Sequence, residues 1–434
     1  MRTSTLSVPR EKPKTKRSFL PQGFEFAPEA RGSMVGVLAI AAIVAGLAQN
    51  ILLTYTSFSA FNLMDDVCMS LMFVVAFWRL LNRFNVPALA CLMWIAACGI
   101  AMWRTLDEGI VTSDSAFFLF RQVCMPVLVI MAGMSVTRRE WRWIIRVTVT
   151  VAMLNLVYIA IESLGTRLID PTPYARLNKV DIYPNGLPGY YMGFDFRGEL
   201  VVRAGGLYLN PPTTGITTGL AALIVLHTWR SRWRLPVFIA FSLATLATVS
   251  RGGLLILAFG SVGMFLSRKL HPLVALPAIS VPALMAGDSI SDQGGSGAHV
   301  NGLVVGLQHA FDSVIGKGFG YVGNFAGSQN SLQEASESLS GIAFSAAGLI
   351  AVALYVMTMV RIIINIFNNA RSWTQYIAFG ALVIAMLAET AGSMNATVPL
   401  WLIVGAALMP QTRRKAAASP PTHEPELEAS RPVG

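Results

Sequence analysis

Apolar runs of about 15 to 23 residues recur from one end of this 434-residue chain to the other, and they limit its fold more than any other feature. A helix of about 20 such residues covers the ~30 Å hydrocarbon core of a bilayer. Composition agrees. Only 13% of residues are charged and the mean hydropathy is +0.57, whereas a soluble chain carries about 25% charged residues. The runs predict an all-α polytopic membrane protein with about twelve transmembrane helices, near 34–54, 60–78, 84–103, 116–136, 143–163, 206–228, 235–250, 252–267, 272–287, 339–360, 374–392 and 397–410. Runs 252–267 and 272–287 are short for a crossing, which leaves the count open by one or two. The helical domain is thus 34–410. A basic, proline-bearing tail, 1–33, precedes it and a second polar tail, 411–434, follows; both read as disordered, and 1–33 shows no cleavable leader pattern.

The loops sort by charge. One set carries Arg79 and Arg83; Arg138, Arg139, Arg142 and Arg146; Arg230, Arg232 and Arg234; Arg268 and Lys269; Arg361 and Arg371; and Arg413, Arg414 and Lys415. The other set holds most acids outside the tails, among them Asp107, Asp170, Asp181, Glu199, Asp312, Glu334 and Glu337. By the positive-inside rule the basic set is cytoplasmic, so both termini are cytoplasmic. The net charge of +10 follows from this clustering and does not indicate nucleic-acid binding. Cys68, Cys91, Cys98 and Cys124 lie in or beside apolar runs, which predicts neither a disulfide framework nor a cysteine metal site.

Two extracytoplasmic loops are long, about 165–208 and 287–338. The first is rich in Pro, Tyr, Gly and Asn, the second in Gly, Ser and Asn. Such loops usually carry function, and tyrosines with asparagines suit carbohydrate; a loop that only caps the bundle is the plainer alternative. Asp65, Asp66, Arg121, Glu162 and Glu389 fall within or at the edge of spans, towards the same side. Ionisable groups at that depth face a bundle interior or a watery cavity, either paired with one another or serving a ligand. His227 and His271 read as interfacial. No Walker A loop, HExxH, GxSxG or Asp-rich phosphotransferase motif occurs, and no half-chain repeat supports a two-half transporter.

The stretch VVRAGGLYLNPPTTGITTG (201–219) joins the first long loop to an apolar run. It places Arg203 beside a Gly pair and a Pro pair, the latter suited to the first turn of a helix. Arg251, in ATVSRGGLLIL, stands between two further apolar runs. Two such arginines suit a phosphate-bearing ligand, or else each anchors its helix at the interface.

Taken in order, these segments carry a family pattern. They are Arg203 with Gly206, Asn210 and Pro211; Ser250 with Arg251; Gly316, Gly318 and Gly320 in IGKGFGYVGN; and Glu337, Ser338, Gly348, Leu349 and Ile350. The ordered set resembles the bacterial Wzy-type polysaccharide polymerases and the related O-antigen ligases, closely over 200–350 and loosely in overall topology. Each motif alone is weak. Two departures stand out: His299 lies near where relatives carry an arginine, and Glu337 lies where the ligases place a histidine, which favours a polymerase.

The resemblance implies a GT-C-type glycosyltransferase of the bacterial inner membrane. It would act at the periplasmic face on undecaprenyl-diphosphate-linked oligosaccharides, invert the anomeric centre, and use neither cofactor nor metal. It also implies work beside membrane lipids, a chain-length regulator and export proteins, and no nucleic-acid partner. Arg203 and Arg251 would hold the leaving diphosphate, since a guanidinium matches phosphate oxygens and stays charged. Glu337, with His299 second, would take the proton from the acceptor hydroxyl. Tyr190, Tyr191, Tyr208, Asn210 and Ser250 would contact the glycan. The alternatives are a ligase moving glycan onto a lipid or protein, a flippase for the lipid-linked unit, and a non-catalytic assembly protein.

Overall fold

The computed structural model describes residues 33–56, 58–81, 85–177, 180–194, 199–266, 270–271, 274, 276–278, 296–323, 338–368 and 372–409. Tail 411–434, tail 1–33 apart from Ser33, and most of run 272–287 lie outside the described residues. The chain is an all-α membrane protein. Its helices are α1 (Met34–Thr56), α2 (Met64–Leu81), α3 (Val86–Asp107), α4 (Ser113–Ser135) and α5 (Arg138–Ser163). After these come a short α6 (Thr172–Leu177), α7 (Pro211–Thr228), α8 (Arg234–Ala247) and α9 (Arg251–Leu266). The last four are α10 (Ser296–Asp312), α11 (Leu339–Asn368), α12 (Trp373–Leu387) and α13 (Met394–Leu408). Among the described residues six helices are long and apolar enough to cross a membrane: α1 to α5 and α11. Helices α8, α9, α12 and α13 are apolar but shorter.

Local chemistry sets several helix starts. Asn85 caps α3, its side chain accepting from Ala88 N at 2.9 Å. Thr137 and Glu140 form a reciprocal capping box on α5, which satisfies two otherwise orphaned N–H groups. The outward faces of α2 and α3 remain apolar, with Val74, Trp78, Met93 and Trp103 exposed, as a lipid-solvated surface requires.

Helices α1 to α5 alternate in direction, and two contact sets mark the ends of the bundle. At one end Arg79 of α2 makes a twofold ion pair with Glu140 of α5, both contacts at 3.0 Å. Glu140 also accepts from Gly36 N of α1 at 3.1 Å. We call this the basic end. At the other end α1 reaches Tyr208 through Asn50, α3 reaches Gly316 through Arg104, and α5 reaches Gly205 through Glu162. There α5 leads into a cap of α6 and a two-stranded antiparallel sheet, β1 (Met192–Phe194) and β2 (Leu200–Val202), with Met192 opposite Val202.

Three places depart from straight spans. Helix α9 passes through a π-helical turn, Ala258–Gly263. Helices α12 and α13 have 15 residues each, a rise of about 22 Å, and are joined through the 3-10 turn Glu389–Gly392. Their outer termini sit at the basic end, where Gln375 of α12 donates to Ala407 O of α13 at 3.0 Å. The pair therefore forms a hairpin with its tip inside the bundle.

Helix α11 is broken at Gly348 (φ 65°, ψ −150°). The rings of Phe344 and Tyr355, on either side of the break, are 5.4 Å apart. In an unbroken helix eleven residues rise about 16 Å, so the first half folds back along the second.

The segment 287–338, expected to be a loop, contains the helix α10. Its glycines read as loop signals, yet Gly302, Gly306 and Ala310 repeat every four residues and form one buried face. A Cβ on Gly341 of α11 would stand 2.3 Å from Gly302 O, and one on Gly306 would stand 2.4 Å from Gly341 O. Small residues at this spacing let two helix backbones touch.

Candidate functional site

Residues 203–214 turn tightly over the end of α5. The Oε2 atom of Glu162 accepts from the N–H of Gly205 and of Gly206, both at 2.9 Å. Its Oε1 accepts from Arg167 Nε at 3.1 Å. Asn155, two helical turns earlier on the same face of α5, accepts from Leu207 N at 2.7 Å. Thr214 donates back to Gly205 O. Three consecutive N–H groups thus curl around side-chain oxygens, a concavity of the kind that binds anions, here filled by the protein's own acceptors. Gly206 has φ +62° and its missing Cβ would meet Asn155 Oδ1 at 2.3 Å, so the turn requires glycine.

Helix α9 begins in the same way beside it. Leu209 (φ 52°) precedes Asn210, which caps α7, and Val249 (φ 46°) precedes Ser250, which caps α9. These are the two non-glycine residues with positive φ among the described residues. Such strain costs roughly 1–3 kcal/mol and persists where the surroundings impose it, often at ligand sites.

Two hydrogen bonds stitch the segments together. Ala204 N donates to Ala247 O at 3.1 Å, and Ser250 Oγ donates to Pro212 O at 2.8 Å. Gly215 and Gly253 remove the side chains between α7 and α9, since a Cβ on Gly253 would lie 2.3 Å from Gly215 O. The first turns of α7 and α9 therefore abut. Arg251 is the first residue of α9, and Arg203 leads into the turn before α7. Both are partly exposed, near helix starts that carry partial positive charge.

The glycine-rich turn makes a second knot at the same end. Gly316, Gly318 and Gly320 all have positive φ, and the turn docks on the break in α11. Lys317 N donates to Ser345 O at 2.8 Å and Gly318 N to Ala346 O at 3.2 Å, which pairs carbonyls that the break releases. Arg104 Nη1 donates to Gly316 O at 2.6 Å. His309 of α10 lies 2.9 Å from Ser345 Oγ and edge-on to Tyr321. The tip of the α12–α13 hairpin runs between the knots. Thr217 of α7 donates to Ala396 O at 3.1 Å, while Ser338, at the start of α11, donates to Met386 O at 2.7 Å.

The sequence-derived residues fall into three groups. The two segments that carry Arg203 with Asn210 and Ser250 with Arg251 come together. Arg203 rests on the β-hairpin, with Nε donating to Met192 O at 3.1 Å; Asn210 and Ser250 are helix caps. Tyr190, Tyr191 and Tyr208 form a second group. Tyr191 and Tyr208 are each 1% exposed, so neither presents a ring face to a sugar. Tyr191 packs instead beneath the Arg167 guanidinium and against Gly205. Tyr190 is half-buried. Burial raises the phenols of Tyr190 and Tyr191 well above their ordinary range, and that of Tyr174 to about 12. Glu337 and Glu334 form the third group and lie outside the described residues. His299 lies on α10, with its side chain likewise outside them.

Of the charges within spans, Asp65 and Asp66 pair with Arg121 at 3.4 and 2.5 Å. Asp65 is 0% and Asp66 6% exposed, so this trio joins α2 to α4 within the fold. Glu389 lies in the hairpin tip, where its carbonyl accepts from Gln122 at 3.3 Å. Asp312 is exposed and pairs with Lys317 at 2.8 Å, and that ammonium holds its carboxyl below the usual range. No sequence motif marks Asn155, although its spacing of seven from Glu162 inside an apolar run places the two on a shared helix face. Comparison with known proteins finds no matching family model and no matching curated protein.

Proposed function

We propose that the chain is a membrane glycosyltransferase that joins undecaprenyl-diphosphate-linked oligosaccharide units into exopolysaccharide at the periplasmic face of a bacterial inner membrane. The observation that carries this reading is the knot of 203–214 with 247–251. It holds the start of α9, which carries Arg251, against the start of α7 and the turn that Arg203 leads into, and both of its strained non-glycine residues precede the caps. In the proposed reaction an acceptor-sugar hydroxyl attacks the anomeric carbon of the donor. The bond from that carbon to the diphosphate oxygen breaks, and negative charge grows on the departing diphosphate.

Arg203, Arg251 and the N-terminal turns of α7 and α9 stabilise that charge; each donor aimed at it in a partly dry site contributes about 3–4 kcal/mol. Glu337 takes the hydroxyl proton, with His299 as the alternative base. The polyprenyl tail stays in the bilayer beside the apolar helices. The test is polymer formed per molecule of membrane-inserted enzyme. Arg203→Lys and Arg251→Lys keep the charge but lose the planar fork, and each should lose most polymer at normal protein level, with single lipid-linked units accumulating. Full polymer yield from both variants would leave the arginines as interfacial anchors.

A further inference from the structure

We propose that a groove between α3 and α11, at the basic end and away from the glycosyl-transfer site, binds one anionic phospholipid. Its mouth is lined by Asn85, Val86 and Pro87 of α3, by Met357, Thr358 and Arg361 of α11, and by Leu408. Ala90, Thr358 and Leu408 also line a second, almost wholly apolar cavity beside it, which extends past Cys91, Trp94 and Tyr355. The two spaces therefore share a wall. The groove has a volume of about 320 Å³ and the adjoining cavity about 60 Å³, so most of the room lies beside the arginine. Val86 and Met357 are exposed on the lipid-facing surface, which makes the entrance lateral, from the bilayer.

Arg361 selects the occupant. Among the described residues its buried Nε has no hydrogen-bond partner and no carboxylate pairs with it. A guanidinium held among apolar side chains at a bilayer surface needs an anion that brings several oxygen acceptors. A phosphodiester headgroup supplies both, and basic pockets between membrane helices are suited to such headgroups. The adjoining apolar cavity suits an acyl chain, which gains by leaving no apolar surface to water. A soluble anion would match the arginine alone; a phospholipid matches the arginine, the apolar cavity and the lateral entrance.

The test uses the purified full chain in lipid nanodiscs of palmitoyl-oleoyl phosphatidylglycerol or of phosphatidylcholine with the same chains, followed by native mass spectrometry of retained lipid. Wild-type protein should retain phosphatidylglycerol about tenfold more than phosphatidylcholine, the ratio expected when one charge-assisted contact distinguishes them. Arg361→Gln should abolish that preference and Arg361→Lys should keep part of it. Ala90→Leu, which adds bulk at the wall shared by the two spaces and keeps the arginine, should lower retention of both lipids. Arg142→Gln, at an exposed arginine of the same end, should change nothing. Equal retention of the two lipids by wild-type protein would overturn the proposal without any variant. So would undiminished preference in Arg361→Gln, or a co-purified polyprenyl diphosphate that phosphatidylglycerol does not displace.

Discussion

Glu140 lies in the first turn of α5 and Glu162 in its last; both are buried, at 1% and 7% exposure, and each meets an arginine and backbone N–H groups, yet of different parts of the chain. Glu140 meets a guanidinium in twofold contact, the caps of its own helix and a backbone N–H of α1. Those contacts lock three helices together at the basic end. Glu162 meets Arg167 on one side, and its other oxygen holds two N–H groups of the turn between Arg203 and Asn210. The comparison teaches that burial alone does not assign a role to a membrane carboxylate. What the carboxylate holds decides it: a bundle joint in one case, the shape of a strained loop in the other.

The largest effect should come from breaking the joint. Glu140→Ala leaves Arg79, 14% exposed, without its counter-charge, and breaking such a pair costs about 3–5 kcal/mol. Thermal unfolding in detergent should show a large drop, and Arg79→Met with Glu140→Met should recover much of it. A melt unchanged in Glu140→Ala would remove the joint from the account.

A smaller loss is expected at the other end from Gly348→Ala. The new Cβ would stand 2.3 Å from Gly316 N and 2.3 Å from Ser313 O, at φ +65°. Both neighbours are backbone and cannot swing away, so the glycine-rich turn must lift from the break in α11, at roughly 1–3 kcal/mol for the backbone conformation alone. Faster proteolysis between 313 and 320 at intact membrane insertion would be the sign. Cleavage no faster than in the wild type would show that the turn is not held by the break.

The smallest effect belongs to Asp312→Asn. Its pair with Lys317 is solvent-exposed, and exposed pairs of this kind contribute little. Neither the melt nor polymer yield should change measurably; a clear loss would give the loop's surface charge a part in the site.

Much of the helical scaffold was legible in the sequence because α1 to α5 satisfy length and hydropathy together. Arginine clustering likewise puts Arg79 and Arg138 at one end of the bundle, where Arg79 pairs with Glu140 in the first turn of α5. Sequence missed what depends on contacts between distant segments. The glycines of α10 serve helix contact as well as loops do, and only the partner glycine at 341 tells which. The fold-back at Gly348 is invisible in an apolar run that reads as one span. The pairing of Arg203's turn with Arg251's helix start could be suspected from local motifs, but the carboxylate that shapes it came from α5. Tyr191 and Tyr208 look like sugar-stacking residues in a polar loop until packing buries them.

Under the proposed function, the end of α5 that carries Glu162 shapes the glycosyl-transfer site while the end that carries Glu140 holds the bundle. The most direct test is polymer formed from lipid-linked repeat units per folded molecule, for Glu162→Gln beside Glu140→Gln, with folded protein counted by gel-filtration peak area. The amide in Glu162→Gln keeps the shape and loses the charge, and the misplaced turn should lower turnover per folded molecule by at least tenfold, since ångström-scale displacement in a site costs up to about 10²-fold. Folded Glu140→Gln molecules should be fewer but work at the wild-type rate. Equal turnover per folded molecule in the two variants would contradict the account.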